Sequence, residues 1–155
     1  MSFQERFDKW IPPLFVLALV ALSWTGVKGS FYGFLPKPSA EDLPAWRTDY
    51  EAALAEAKAT GKPALLDFTA DWCPPCRVME REVWPDERVR TAVDAETIPV
   101  RLDVDEDSSA EAARAHRLSG IPTIVLVDGD GQELARAGLM SAREMLEFVG
   151  ARGRP

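Results

Sequence analysis

Cysteine and histidine are scarce in this 155-residue chain: two of the first, Cys73 and Cys76, and one of the second, His116. Two cysteines in one CxxC motif are too few for a disulfide-stapled scaffold, and one histidine does not complete a tetrahedral zinc site with them. Basic residues are also short, with 18 Lys and Arg against 25 Asp and Glu and a net charge of −7. That balance argues against nucleic acid as a partner, because phosphate binding needs a basic face. No internal repeat is present. The composition, 46% hydrophobic and 28% charged, is that of a globular chain with room for one domain and an appendage.

One long apolar run is present. After a mixed-charge flank (residues 1–9), residues 10–28 carry no acid and no base before Lys28, with Leu14 to Leu22 at the centre. The run is near the lower limit of about 17 residues for a membrane-spanning helix. Pro12 and Pro13 fit its first turn, and Trp10 and Trp24 would lie at the two interfaces, with Phe31, Tyr32 and Phe34 beside the second. It reads as a retained signal anchor. A cleaved signal peptide is the alternative, since Ala21-Leu22-Ser23 offers small residues after an apolar core. Residues 29–44 hold Gly, Ser and three prolines (Pro36, Pro38, Pro44) with no apolar period, the pattern of a linker.

The folded domain is expected over residues 45–150, with a short tail at 151–155. A capping box, Thr48 to Glu51, opens an alanine-rich helix that Gly61 and Pro63 end. Ala64 to Ala70 is too continuously apolar for an edge strand and is expected at the centre of a sheet. A helix runs from the CxxC motif to about Val83, and Trp84-Pro85 breaks it before a shorter one from Asp86. Ile98–Val104 is the second strand, and Ser108–Leu118 a helix with its own capping box, Ser108 to Glu111. Thr123–Val127, the turn Asp128-Gly129-Asp130-Gly131 and Gln132–Ala137 form a hairpin, and Ser141–Val149 closes the chain as a helix. The fold class is α/β, a mixed central sheet flanked by helices, preceded by a single transmembrane helix.

The chemistry lies in Trp72-Cys73-Pro74-Pro75-Cys76. Cysteines three apart on a helix face one side and can close a disulfide. The first stands at the helix N-terminus, where free N–H groups and the helix dipole stabilise a thiolate, the reactive species in thiol–disulfide exchange. Glu80 lies four residues after Cys76 and seven after Cys73, on the same helical face, where an acid disfavours a thiolate and can exchange protons with it. A solvated helix acid is the other reading of Glu80. Asp67 is a carboxylate in an apolar strand, costly unless used.

This motif after an apolar strand, with Gly120-Ile121-Pro122-Thr123 ahead of a later one, resembles the thioredoxin superfamily over roughly Ala45 to Gly150. The Ala70-Asp71-Trp72 lead-in, the Trp84-Pro85-Asp86 break and the Asp128-to-Gln132 hairpin are most similar to the C-terminal periplasmic domain of the thiol:disulfide interchange protein DsbD and its membrane-anchored relatives. The resemblance implies Cys73 as an exposed nucleophile, Cys76 as the buried resolving thiol, and Asp67 as the acid that handles the Cys76 proton. It implies a cis-proline at Pro122, with the Ile121 backbone pairing a substrate strand and Trp72 shaping the rim. It supports Glu80 as a second acid. The redox-active disulfide would be the only prosthetic element. Protein disulfides are the implied substrates, a DsbD-type membrane protein the electron donor, and cytochrome c maturation or disulfide repair the downstream use. The implied location is the inner membrane, single-pass, with the catalytic domain in the periplasm.

Two departures stand out. Pro74-Pro75 replaces the Gly-Pro of thioredoxin and removes two N–H donors. Arg101 stands where thioredoxin has a lysine near its buried acid, either paired with Asp67 or exposed on its strand. An oxidant or isomerase, or a redox-sensing or copper-handling module, are the competing functions. The Asp103–Asp107 acids mimic an EF-hand, but Ser108 replaces its glycine and Arg114 its final glutamate. His116 reads as a helix-end residue rather than a ligand.

Overall fold

Strand β1 (Ala64–Thr69) is the centre of the domain, with Ala64 to Phe68 all buried. It pairs in parallel with β2 (Ile98–Asp103) and antiparallel with β3 (Thr123–Val127), which pairs antiparallel with β4 (Glu133–Ala137). The order is β2-β1-β3-β4, the expected mixed sheet. The computed structural model describes residues 27–150, apart from 29 and 34. The expected membrane span therefore lies outside the described residues except for its last two, as do the flank at 1–9 and the tail at 151–155. Among the described residues no helix is long and apolar enough to cross a membrane.

Alternation along the strands divides the core. Leu66 and Phe68 of β1, Val100 and Leu102 of β2 and Val125 and Val127 of β3 point to one face. There they meet Tyr50, Ala53 and Ala57 of α1 (Tyr50–Thr60) and Ala112 of α4 (Ala110–Ala115). Leu65, Ile124 and Leu126 point to the other, packed by α2 (Pro74–Glu82), α3 (Glu87–Glu96) and α5 (Ala142–Gly150). Each large side chain so buried contributes about 1.5–3 kcal/mol. Parity puts Asp67 and its β2 partner Arg101 on the α2 face, the face that carries the cysteines.

The helix ends depart from expectation in detail. Asp49, not Thr48, caps α1, its side chain accepting from the Ala52 N–H at 2.9 Å. Ser108–Glu111 does not cap α4; a 3-10 turn, Asp107–Ser109, precedes a helix of only six residues, and Ser109 makes no side-chain cap bond. A reciprocal box forms instead at α5, where Ser141 Oγ accepts from the Glu144 N–H and Glu144 Oε2 accepts from Ser141. The break after α2 falls where proline requires it, with Asp86 capping α3 through the Arg88 and Val89 N–H groups.

The segment before the domain is not a free tether. Lys28 Nζ and Tyr32 Oη both reach Glu82 at 2.5 Å, Lys37 pairs Asp71 at 2.5 Å, and Arg81 lies over the Tyr32 ring. Tyr32 is thus held on α2, where a membrane interface was expected. Further on, the Arg47 N–H donates to Pro99 O and Arg47 O accepts from the Arg101 N–H, closing part of the β2 edge.

Candidate active site

Cys73 is the N-cap of α2, and its Sγ accepts from the Cys76 N–H at 3.2 Å. Pro74 and Pro75 fill the first two helical positions and offer no N–H, so Cys76 supplies the first backbone donor available to that sulfur. The two cysteines are joined in a disulfide, Cα to Cα 5.3 Å. Both are buried: Cys73 is 2% exposed and Cys76 5%. The expected exposure of Cys73 at the helix tip is therefore not observed. Ala70, Val104 and Ile121 pack against the pair and cover it.

Trp72 is 60% exposed, and its indole N–H donates to Asp105 Oδ2 at 2.8 Å. The Ile121–Pro122 bond is cis. Among the described residues neither the Ile121 N–H nor its carbonyl is bonded to another backbone group.

On the α2 face of β1, Asp67 is 2% exposed and Arg101 Nε donates to its Oδ2 at 3.3 Å. Arg101 Nη1 lies 3.5 Å from Glu80 Oε1. One arginine therefore joins the two acids, which decides between the two readings of Arg101 and places Glu80 in an ion pair. Burial pushes the Asp67 carboxyl above its ordinary range; Arg101 pulls it down and Glu80 adds to the upward push. Burial wins. Cys76, Glu80 and Arg101 line a cavity of about 280 Å³ together with Tyr32, Leu35 and Lys37 of the preceding segment.

His116 lies elsewhere. It is at the end of α4, 5% exposed, its Nε2 2.9 Å from Tyr50 Oη and its ring against Phe68, on the face of the sheet opposite Asp67. It does not converge with the cysteines, and burial holds its basicity down. Among the described residues no group of three or more His, Cys, Asp or Glu is arranged to hold a metal ion. One feature had no local signal in the sequence: Trp46, whose ring lies 4.7 Å from the Arg101 guanidinium carbon.

A CxxC pair on a helix N-terminus, a cis-proline following Ile121, which packs on the pair, and a buried acid on the central strand define a thioredoxin-type dithiol site. The chain belongs to the thioredoxin-like family, whose model matches residues 45–129. It is 39% identical over 113 residues to the thiol:disulfide interchange protein DsbD of Yersinia enterocolitica, covering 70% of this chain and 18% of that protein. The matched region spans between 14% and 19% of the length of such curated relatives. Among solved structures it is similar to the oxidised DsbD C-terminal domain of Neisseria meningitidis, with TM-score 0.56, 27% identity, and 69% and 98% of the two chains covered. It is also similar to a thioredoxin from Thermus thermophilus, with TM-score 0.61, 30% identity, and 71% and 86% covered.

Proposed function

We propose that this chain is a membrane-anchored thiol:disulfide oxidoreductase that reduces protein disulfides in the periplasm, drawing electrons from a DsbD-type membrane protein. The observation that carries the direction is the poverty of support for a Cys73 thiolate. Two prolines leave the Cys76 N–H as the first backbone donor for the Cys73 sulfur, and the nearby cation Arg101 is engaged by Asp67 and Glu80. A weakly stabilised thiolate goes with a reducing pair, and a strongly stabilised one with an oxidant.

In the reduced protein, the Cys73 thiolate attacks a substrate disulfide and expels one substrate thiolate. The Cys76 thiol then gives its proton toward Asp67 and attacks Cys73, releasing the second substrate thiolate and leaving Cys73–Cys76 oxidised. Two electrons pass to the substrate, and the membrane donor restores them. The unbonded Ile121 backbone beside cis-Pro122 would pair an extended substrate segment, with Trp72 beside it. Glu80 would serve as a second acid. No cofactor beyond the disulfide is required. The apolar run at 10–28 would hold the domain on the inner membrane, with disulfide repair or cytochrome c maturation downstream.

The deciding measurement is the reduction potential of the Cys73–Cys76 pair. A value near or below about −270 mV, that of thioredoxin, supports the reductase; one near −120 mV, that of DsbA, makes it an oxidant. A Cys76→Ser variant should accumulate mixed disulfides with its substrates in cells, and their absence would sink the exchange mechanism.

A further inference from the structure

Arg101 is held on three sides. Asp67 and Glu80 take its Nε and Nη1 at 3.3 and 3.5 Å, and the face of the Trp46 ring takes the guanidinium from behind at 4.7 Å. The indole is itself fixed. It stands edge-on to Trp84, ring centroids 4.9 Å apart at 89°, and the Arg47 backbone bonds lock the neighbouring main chain to β2. Its own N–H is buried and finds no acceptor among the described residues. Burying a donor unbonded is costly, so the ring's placement answers to its face and edge rather than to a hydrogen bond. A cation over an indole face is attracted by the ring quadrupole, more strongly away from water. The Arg101 side chain is 21% exposed, so without the ring its head can turn to solvent.

We propose that Trp46 is a positioning residue for the exchange reaction: its face holds Arg101 between Asp67 and Glu80, keeping the charge that lets Asp67 ionise and receive the Cys76 proton. The consequence for catalysis rests on the exchange chemistry proposed above; the clamp itself does not. The charged groups facing Asp67 are Arg101 from β2 and Glu80 from α2, while β3 presents apolar Ile124. Burial and Glu80 both favour the neutral acid, and only Arg101 opposes them. Releasing Arg101 leaves Asp67 protonated over a wider pH range. The Cys76 proton then loses its acceptor at Asp67, and the mixed disulfide persists longer.

The test is a carbon-13 carboxyl NMR titration of Asp67 in the full-length oxidised chain, which needs no turnover. The midpoint should move to higher pH in Arg101→Met and in Trp46→Leu, and the double variant should move no further than Arg101→Met alone. Should Trp46→Leu fail to fold, a tetrafluorinated tryptophan at position 46 keeps the shape while draining the ring's negative face, and should move the midpoint the same way. A midpoint that moves in Arg101→Met but not with either change at Trp46 overturns the clamp. In single-turnover reduction of a protein disulfide, the acid limb of the rate profile should follow the Asp67 midpoint; a limb that stays put while the midpoint moves overturns the link to proton transfer. A wild-type protein that exchanges no disulfide defeats the proposed function instead, with the titration still reporting on the clamp.

Discussion

Asp67 carries opposing demands at the scale of a residue. The fold buries it and favours its neutral form, while the proposed chemistry asks it to accept a proton. Below the ordinary value of 3.8 it is protonated folded and unfolded alike. As pH rises above that, the unfolded chain ionises first and folding stability falls until the raised folded-state value is passed. Asp67→Asn should therefore stabilise the oxidised protein by an amount that grows from pH 4 to pH 8, reaching the order of 1 kcal/mol or more. Urea unfolding at the two pH values checks it; equal gaps would mean that Arg101 neutralises the burial cost. Asp67 was legible in the sequence because a lone acid interrupts an apolar strand. Arg101 was half legible, as a basic residue in the next strand. Trp46 was not, because its place over Arg101 follows from a parallel bridge between Arg47 and Val100, residues far apart in the chain.

Among the elements, the hairpin turn is the most constrained. A Cβ on Gly129 would lie 2.4 Å from Lys58 Cα and 2.5 Å from Lys58 N, backbone that cannot step aside. Gly129→Ala should push the turn off α1 and cost about 1–3 kcal/mol, read as a lower denaturation midpoint. Gly61, at φ 74°, ends α1 in the left-handed region, where an added Cβ would meet nothing within 4 Å and only the backbone conformation is demanding. Asp86 shows the opposite linkage to Asp67. Its cap bonds and Arg88 hold its carboxyl down at about 2, so its contribution is complete above 3.8 and is lost as pH falls through about 2. Asp86→Asn should fall below wild type in melting temperature at pH 5, with a gap that narrows toward pH 2. Element order was readable because Gly61, Pro63 and Pro85 punctuate the chain and apolar runs mark the strands. The caps were less so: Thr48 and Asp49 are both good cap residues one position apart, and Ser108 lost its place to a 3-10 turn.

For the whole molecule, the stretch from Lys28 to Lys37 matters because it leans on α2 and lines part of the cavity beside Cys76. Its ion pairs are superficial, each worth about 0–1 kcal/mol. Deleting residues 1–37 should therefore change the melting temperature little, yet raise the alkylation rate of Cys76 in the reduced protein. An unchanged rate would mean that Cys76 is shielded by the domain alone. The linker composition gave no sign of this docking, since Pro and Gly report what cannot form a helix and not what a segment rests on. A separate consequence follows from the near-complete burial of Cys73 in the oxidised site. On the exchange chemistry proposed above, small thiols such as glutathione would reach this disulfide only when the cover of Ala70, Val104 and Ile121 parts, whereas a docked protein donor would displace it through its own binding energy. The potential governs how many electrons the pair holds at equilibrium; the cover over the oxidised pair would govern which thiols may deliver them.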